Sequence, residues 1–321
     1  MPTPHVPHIS ASTARATTLV LLSAVSFGSI SILTVFAVRE GMVLLSIVFW
    51  RFLFGAIALF LIAHAPVRAH WRAGIGLFAI GGLIQAVCTY ISLSALRFVP
   101  ASVVAFLFFT YPAWLALTGA ARGTDPLTPK RGGILLLAMT GVALMIGIPG
   151  VGANMHLNPI GIVLGLTAAL LYSTYLPIVN HLQRAIPPIA ASFYIILGAL
   201  LTFFIAGIVA SRPWSPAGGT LGALAAPPTS AAWIYVLLLA IVSTVIAFLA
   251  LLGGLKILGA ARTSIIATAE PFFTTLLAIV LLGERLRWTT LLGGACIAAA
   301  VIAIAVQREE VVPEPSLVTS H

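Results

Sequence analysis

Residues 263–282 read Thr263-Ser264-Ile265-Ile266-Ala267-Thr268-Ala269-Glu270-Pro271-Phe272-Phe273-Thr274-Thr275-Leu276-Leu277-Ala278-Ile279-Val280-Leu281-Leu282. One acid, followed by a proline, sits inside an otherwise uncharged run. A helix needs about 20 apolar residues to cross a bilayer, and this run has that length. The same composition continues outward along the chain. Of 321 residues, 60% are hydrophobic and 7% charged, against roughly 25% charged in a soluble globular chain. That excludes a soluble enzyme, a disordered chain and a nucleic-acid-binding domain. The net charge of +9 comes from basic residues scattered singly, not massed into a patch for a polyanion. Cys88 and Cys296 lie in apolar runs and form neither a CxxC pair nor a disulfide framework. The chain reads as an all-α polytopic membrane protein.

A charge inside hydrocarbon is costly, so the gaps between charges outline the spans. Arg15 and Arg39 are separated by 23 uncharged residues, Arg72 and Arg97 by 24, Arg97 and Arg122 by 24, and Arg184 and Arg212 by 27. Arg131 and Arg184 are separated by 52, room for two helices divided at Pro149-Gly150-Val151-Gly152-Ala153-Asn154 and Asn158-Pro159. Two further spans carry an internal charge, Arg51 in one and Glu270 in the other. The expectation is ten transmembrane helices, at 17–38, 44–63, 74–95, 101–120, 132–149, 159–180, 188–209, 231–253, 263–282 and 289–306. With the N-terminus inside, ten basic residues fall in inside loops and five in outside loops. The positive-inside rule then places both termini in the cytoplasm, the chain crossing the plasma (inner) membrane. Residues 1–15 and 308–321 are expected to be mobile cytoplasmic tails.

At an offset of 159 residues the chain resembles itself. Ala101 meets Ala260, Tyr111-Pro112 meets Glu270-Pro271, Asp125 meets Glu284, Leu127 meets Leu286, and Arg97 meets Lys256. At an offset of 143, Phe54-Gly55-Ala56 meets Leu197-Gly198-Ala199. This ordered similarity predicts two five-helix repeats, 16–150 and 159–307. An odd helix number inverts the second repeat in the membrane, an architecture of many secondary transporters, with binding near the midplane.

Against this background, Tyr90-Ile91-Ser92-Leu93-Ser94-Ala95-Leu96-Arg97-Phe98-Val99-Pro100-Ala101-Ser102 resembles the helix 3–4 signature of the EamA family, in the drug/metabolite transporter superfamily. Ala269-Glu270-Pro271-Phe272, followed by Leu281-Leu282-Gly283-Glu284-Arg285-Leu286, resembles it too. Family members typically close each repeat with a Gly-Glu-x-Leu turn. The second repeat matches that turn, and the first has the looser Gly123-Thr124-Asp125-Pro126-Leu127. The resemblance covers about residues 16–307. It implies a permease for small metabolites, in most members an exporter of amino acids or related metabolites, in some an importer.

Glu270 is the sharpest candidate for function. An ionised carboxylate at helix centre costs about 2.5–3.5 kcal/mol on insertion scales, so such a group binds a proton, pairs with a substrate ammonium, or ties two helices together. Pro271 weakens the backbone ladder beside it. Arg51 either snorkels to the headgroups or anchors a substrate carboxylate with its guanidinium fork. Gln85, Tyr90, Tyr111, Trp114, Tyr172 and Tyr175 form a polar and aromatic set, serving either as the lining of a solute path or as bundle packing. Tyr111 is the repeat counterpart of Glu270, and Tyr172 and Tyr175 share a helix face. Pro112, Pro177 and Pro271 interrupt their helices, and Gly161-xxx-Gly165 permits close helix contact. His156 and His181 join no metal-ligand cluster, and no cofactor is expected.

The reading that follows is a secondary transporter working by alternating access. No Walker motif supports ATP hydrolysis in this chain. A lipid-carrier flippase or an importer fits the same fold. A membrane-embedded enzyme fits poorly, because the spans hold one acid and no central histidine. The expected partners are a small-molecule metabolite and the lipid bilayer, not nucleic acid, with homo-oligomer formation left open.

Overall fold

In hydrocarbon every backbone N–H and C=O must be satisfied within the chain, which leaves helices as the economical solution for isolated apolar runs. The computed structural model describes residues 11–121, 128–146, 157–211, 223–285 and 287–311, and among these every regular element is helical. Helix α1 is Ala11–Arg39 and α2 is Leu44–Ala69. Helix α3 runs from Trp71–Gly76 through a π-helical stretch, Leu77–Gly81, into Gly82–Ser94 and a 3-10 turn, Ala95–Arg97. Helix α4 has two parts, Ala101–Phe108 and Tyr111–Ala121. Then come α5, Pro129–Ile146, α6, Pro159–Leu182, and α7, Pro188–Ala210. Helix α8 joins Ser230–Ala240, a π-helical stretch Ile241–Ile246, and Ala247–Ala267. Glu270–Leu282 is α9 and Trp288–Val311 is α10. Among the described residues, seven stretches are long and apolar enough to cross a membrane, and Gly132–Leu144, Glu270–Leu282 and Trp288–Ala303 are shorter apolar helices.

Boundaries follow local chemistry. Asn158 caps α6 by accepting from the Ile160 N–H at 2.9 Å, with Pro159 in the first turn. Thr229 caps α8 by accepting from the Ala232 N–H at 3.0 Å. Helix α9 ends at Gly283, whose φ of 70° is the left-handed conformation glycine adopts without strain.

Three boundaries differ from the sequence reading. The second helix, expected to stop at 63, continues to Ala69, but Ala63 has non-helical φ/ψ of −121° and 23°, three residues before Pro66. The expected end is therefore a kink. Lys256 and Arg262, read as a loop, lie within the helical stretch Ala247–Ala267. A charge marks where the hydrocarbon ends, and it does not unwind the backbone. Helical structure also reaches Ala11 at one end and Val311 at the other, inside the stretches expected to be tails. The proposed divider 149–154, Asp125, His156, and residues 1–10 and 312–321 lie outside the described residues.

The helices pack in related pairs. Helix α1 packs on α8 and α9, while α6 packs on α3 and α4. Helix α2 packs on α8, α7 packs on α3, and α2–α7, α4–α9 and α5–α10 pair with each other. The largest core cluster lies among α2, α3, α6 and α7 and includes Leu45, Val48, Phe52, Leu59, Ile196 and Phe203. Gly161 and Gly165 let α6 approach the α3–α4 corner, where a Cβ at Gly165 would stand 3.0 Å from Leu107.

One end of the bundle is tied by contacts far apart in sequence. Thr229 donates to the Glu40 carboxylate at 2.7 Å, and Trp50 Nε1 donates to the Ala225 carbonyl at 2.9 Å. At the same end Glu284 caps α4, accepting from the Ala101 N–H at 2.7 Å and from the Ser102 hydroxyl at 2.8 Å. At the other end the Tyr194 hydroxyl donates to the Val67 carbonyl at 2.6 Å.

Candidate functional site

Pro112 and Pro271 lack the N–H that would bond the carbonyl four residues back. Helix therefore stops at Phe108 in one place and at Ala267 in the other, and resumes at Tyr111 and Glu270. The two interruptions, 109–110 and 268–269, stand 159 residues apart, the offset of the internal similarity. Each is bridged by a tight turn. Thr110 N–H donates to the Leu107 carbonyl at 3.2 Å, and Ala269 N–H donates to the Ile266 carbonyl at 3.0 Å. Pro177, by contrast, stays inside an unbroken α6.

At the second interruption Glu270 occupies the first turn of α9, where the positive end of the helix dipole favours a carboxylate. Helix α1 lies directly against this point. A Cβ on Gly28 would stand 3.0 Å from Thr274 Oγ1 and 3.3 Å from the Glu270 carbonyl oxygen. Only a residue without a side chain lets the two backbones come this close.

At the first interruption the neighbouring side chains are aromatic. The Tyr111 ring meets Tyr172 edge-on at 5.0 Å, and Tyr172 stacks on Tyr175 at 5.4 Å. Phe108 sits 5.0 Å from Tyr172 and 5.9 Å from Tyr111. Glu270, Tyr111, Tyr175 and Cys88 all lie within electrostatic reach of Tyr172. Among the described residues, the enclosed side-chain atoms that lack a partner are Trp114 Nε1 and Thr263 Oγ1. Within the same set, the Glu270 carboxylate and the Tyr172 and Tyr175 hydroxyls receive no hydrogen bond and yet are not enclosed. Those tips open onto accessible space between the helices.

Arg51 is elsewhere. It is buried, 6% exposed, and its Nε donates to Thr244 Oγ1 at 2.9 Å while an Nη donates to the Ser243 carbonyl at 3.4 Å. Thr244 in turn donates to the Leu239 carbonyl, five residues back, inside the π-helical stretch of α8. Ser243 shares a 2.7 Å hydrogen bond with Ser29 of α1. Arg51 is thus held by neutral oxygens of α8 within the bundle.

The structure brings together Glu270, Tyr111, Tyr172 and Tyr175 from the sequence-derived set, and adds Phe108. It keeps Arg51 on α8. Gln85 bonds Thr89 of its own helix at 3.0 Å. Tyr90 packs on the α2–α3–α6–α7 core, within electrostatic reach of Arg97. Trp114 follows Tyr111 by three residues on the same helical face. Ser243 and Thr244 escaped the sequence reading, although they are the only Ser or Thr in the run 231–253. His181 is exposed, and no metal-binding group of His, Cys, Asp and Glu occurs among the described residues.

A bundle of long apolar helices with an unpaired acid at an interrupted helix defines a polytopic membrane protein of the solute-permease class. The model of the EamA-like transporter family matches residues 14–147 and again 159–306. The chain belongs to the EamA-like transporter family and is a membrane transporter of small molecules. Among similar proteins, one from Bacillus subtilis named "Uncharacterized transporter YcbK" is 29% identical over 227 residues, 70% of this chain and 68% of that one. One from Archaeoglobus fulgidus, named "Uncharacterized transporter", is 27% identical over 288 residues, 88% of this chain and 93% of that one. A crystal structure superposes with a TM-score of 0.61 at 16% identity, over 94% of this chain and 99% of that one, a likeness of fold.

Proposed function

We propose that the protein is a secondary transporter that exports amino acids or related small metabolites by alternating access between two inverted five-helix repeats, 16–150 and 159–307. In this reading ten helices, α1 to α10, cross the plasma membrane with both termini in the cytoplasm. The observation that carries the reading is the Glu270 carboxylate, which lies at a proline-made interruption, faces the tyrosines of α4 and α6, and is bound by nothing among the described residues. The family model's double match supports the repeats, as do the two interruptions at one offset. So does the helix packing, in which α1 on α8 and α9 mirrors α6 on α3 and α4. An acid between the two repeats is where a proton or a substrate ammonium exchanges sides when the repeats rock.

The test is uptake and efflux of a labelled amino-acid and metabolite panel in proteoliposomes, with and without a pH gradient. Wild type and Glu270→Gln are run side by side. A proton gradient is expected to drive accumulation in wild type, and Glu270→Gln to abolish that drive. Equal movement by both proteins, down the solute gradient only, would make Glu270 structural and the protein a facilitator. Movement of no solute by wild type would remove the transporter reading altogether.

A further inference from the structure

We propose that the space bounded by Glu270, Tyr111, Tyr172, Tyr175 and Phe108 takes an organic cation, an amine or quaternary ammonium carrying net positive charge, in preference to a zwitterion. The inference rests on the transporter reading and narrows its substrate class.

The charge balance of the interior carries the first step. Glu270 is the acid of this space, and among the described residues no hydrogen bond or ion pair meets its carboxylate. Arg51, a buried cation of the bundle, gives its hydrogen bonds to Thr244 and Ser243 of α8. A substrate carboxylate entering the tyrosine cluster would therefore meet the Glu270 carboxylate and phenol rings, while that guanidinium stays engaged on α8. A positive group meets the charge it lacks.

The second step is the shape and chemistry of the other walls. Three tyrosines and a phenylalanine present ring faces and edges to one another at 5.0–5.9 Å. Aromatic faces attract cations through the ring quadrupole, most strongly where water is excluded, and clustered rings are the recurring device for quaternary ammonium groups. The Tyr172 and Tyr175 hydroxyls, open and unbonded among the described residues, supply acceptor oxygens for an N–H when the ligand is a protonated amine. An acid closing one side of an aromatic cluster thus selects charge first and shape second.

The test is equilibrium binding of radiolabelled tetraethylammonium to the purified protein in nanodiscs, with three competitors. These are choline, its neutral isostere dimethylbutanol, and the zwitterion glycine betaine. Choline is expected to compete at a concentration at least about tenfold below that needed for dimethylbutanol or betaine, the margin of one good cation–π and ion-pair contact. Glu270→Gln and Tyr172→Leu should each weaken tetraethylammonium binding by about tenfold or more. Tyr172→Phe, which keeps the ring, should restore what Tyr172→Leu loses to within about threefold of wild type. No tetraethylammonium binding to wild type, or betaine competing as well as choline, would overturn the proposal. So would Tyr172→Leu binding as wild type does. The wild-type competition series decides the matter even where a variant does not fold. Amino-acid efflux without cation binding would remove this inference and leave the transporter standing, whereas cation binding with no transport of any solute would do the reverse.

Discussion

The two interrupted helices use the same backbone device and end in opposite chemistry. At both, a proline in the second position of the resuming helix removes an N–H, and a tight turn fills the gap. The residue beside the turn is a neutral phenol in one, Tyr111, and an acid in the other, Glu270. A second pair inverts the pattern. Arg51 on α2 has Tyr194 on α7 as its counterpart, 143 residues on, the offset that aligns Phe54 with Leu197. Arg51 reaches into α8 through Thr244, and Tyr194 reaches back to the Val67 carbonyl of α2. Each half that we propose therefore holds one charged residue and one tyrosine at matching places, with the roles exchanged. In the proposed cycle, symmetric backbone geometry provides motion that serves both faces of the membrane. Asymmetric side chains give that motion a single binding chemistry.

The comparison can be broken most severely at the acid. Glu270→Gln keeps the size and the first-turn position, and is expected to lower proton-driven accumulation in proteoliposomes by at least about tenfold, the effect of losing one charge interaction. A smaller effect is expected at Arg51, whose contacts are structural. Arg51→Ala leaves the Ser243 carbonyl without its donor and Thr244 with one bond, so the thermal midpoint in detergent should fall by the equivalent of about 1–2 kcal/mol, the upper range for hydrogen bonds between membrane helices. Glu284→Ala should cost about 1 kcal/mol by uncapping α4, with Ala101 and Ser102 amides gaining faster hydrogen exchange. Pro177→Ala sharpens the contrast from the other side. Helix α6 is already continuous there, so the midpoint should move by no more than about 0.5 kcal/mol.

How far the sequence foretold these elements depended on the range of the cause. Charge gaps and apolar runs located the helices, because hydrocarbon length is a local constraint. They misplaced the second helix's end and the Lys256–Arg262 segment, because a kink at Ala63 and a break at Thr268 depend on backbone hydrogen bonding near Pro66 and Pro271, and charge does not report that. Glu270, Tyr111 and Tyr172 were legible as polar residues in apolar runs. Their convergence was not, since Tyr111 and Tyr172 meet only when α6 packs on α4. The hold of α8 on Arg51 was hidden most deeply. Thr244 is 193 residues from Arg51, and the π-helical register that turns its hydroxyl toward the guanidinium has no sequence signal of its own. Glu284 was visible as part of a Gly-Glu-x-Leu turn, but its partner, the start of α4, appeared only in the fold.

The central claim is that the two interruptions face one path reached in turn from each side of the membrane. Site-directed labelling tests it most directly. Glu270→Cys and Tyr111→Cys are placed separately in a Cys88→Ala, Cys296→Ala background, in sealed vesicles of known orientation, and treated with a membrane-impermeant cationic thiol reagent from one side or the other. The account predicts that each introduced thiol is modified from both sides and that substrate slows both reactions. Modification of neither variant would contradict it. So would modification of Glu270→Cys from one side alone and of Tyr111→Cys from the opposite side alone, with no effect of substrate on either.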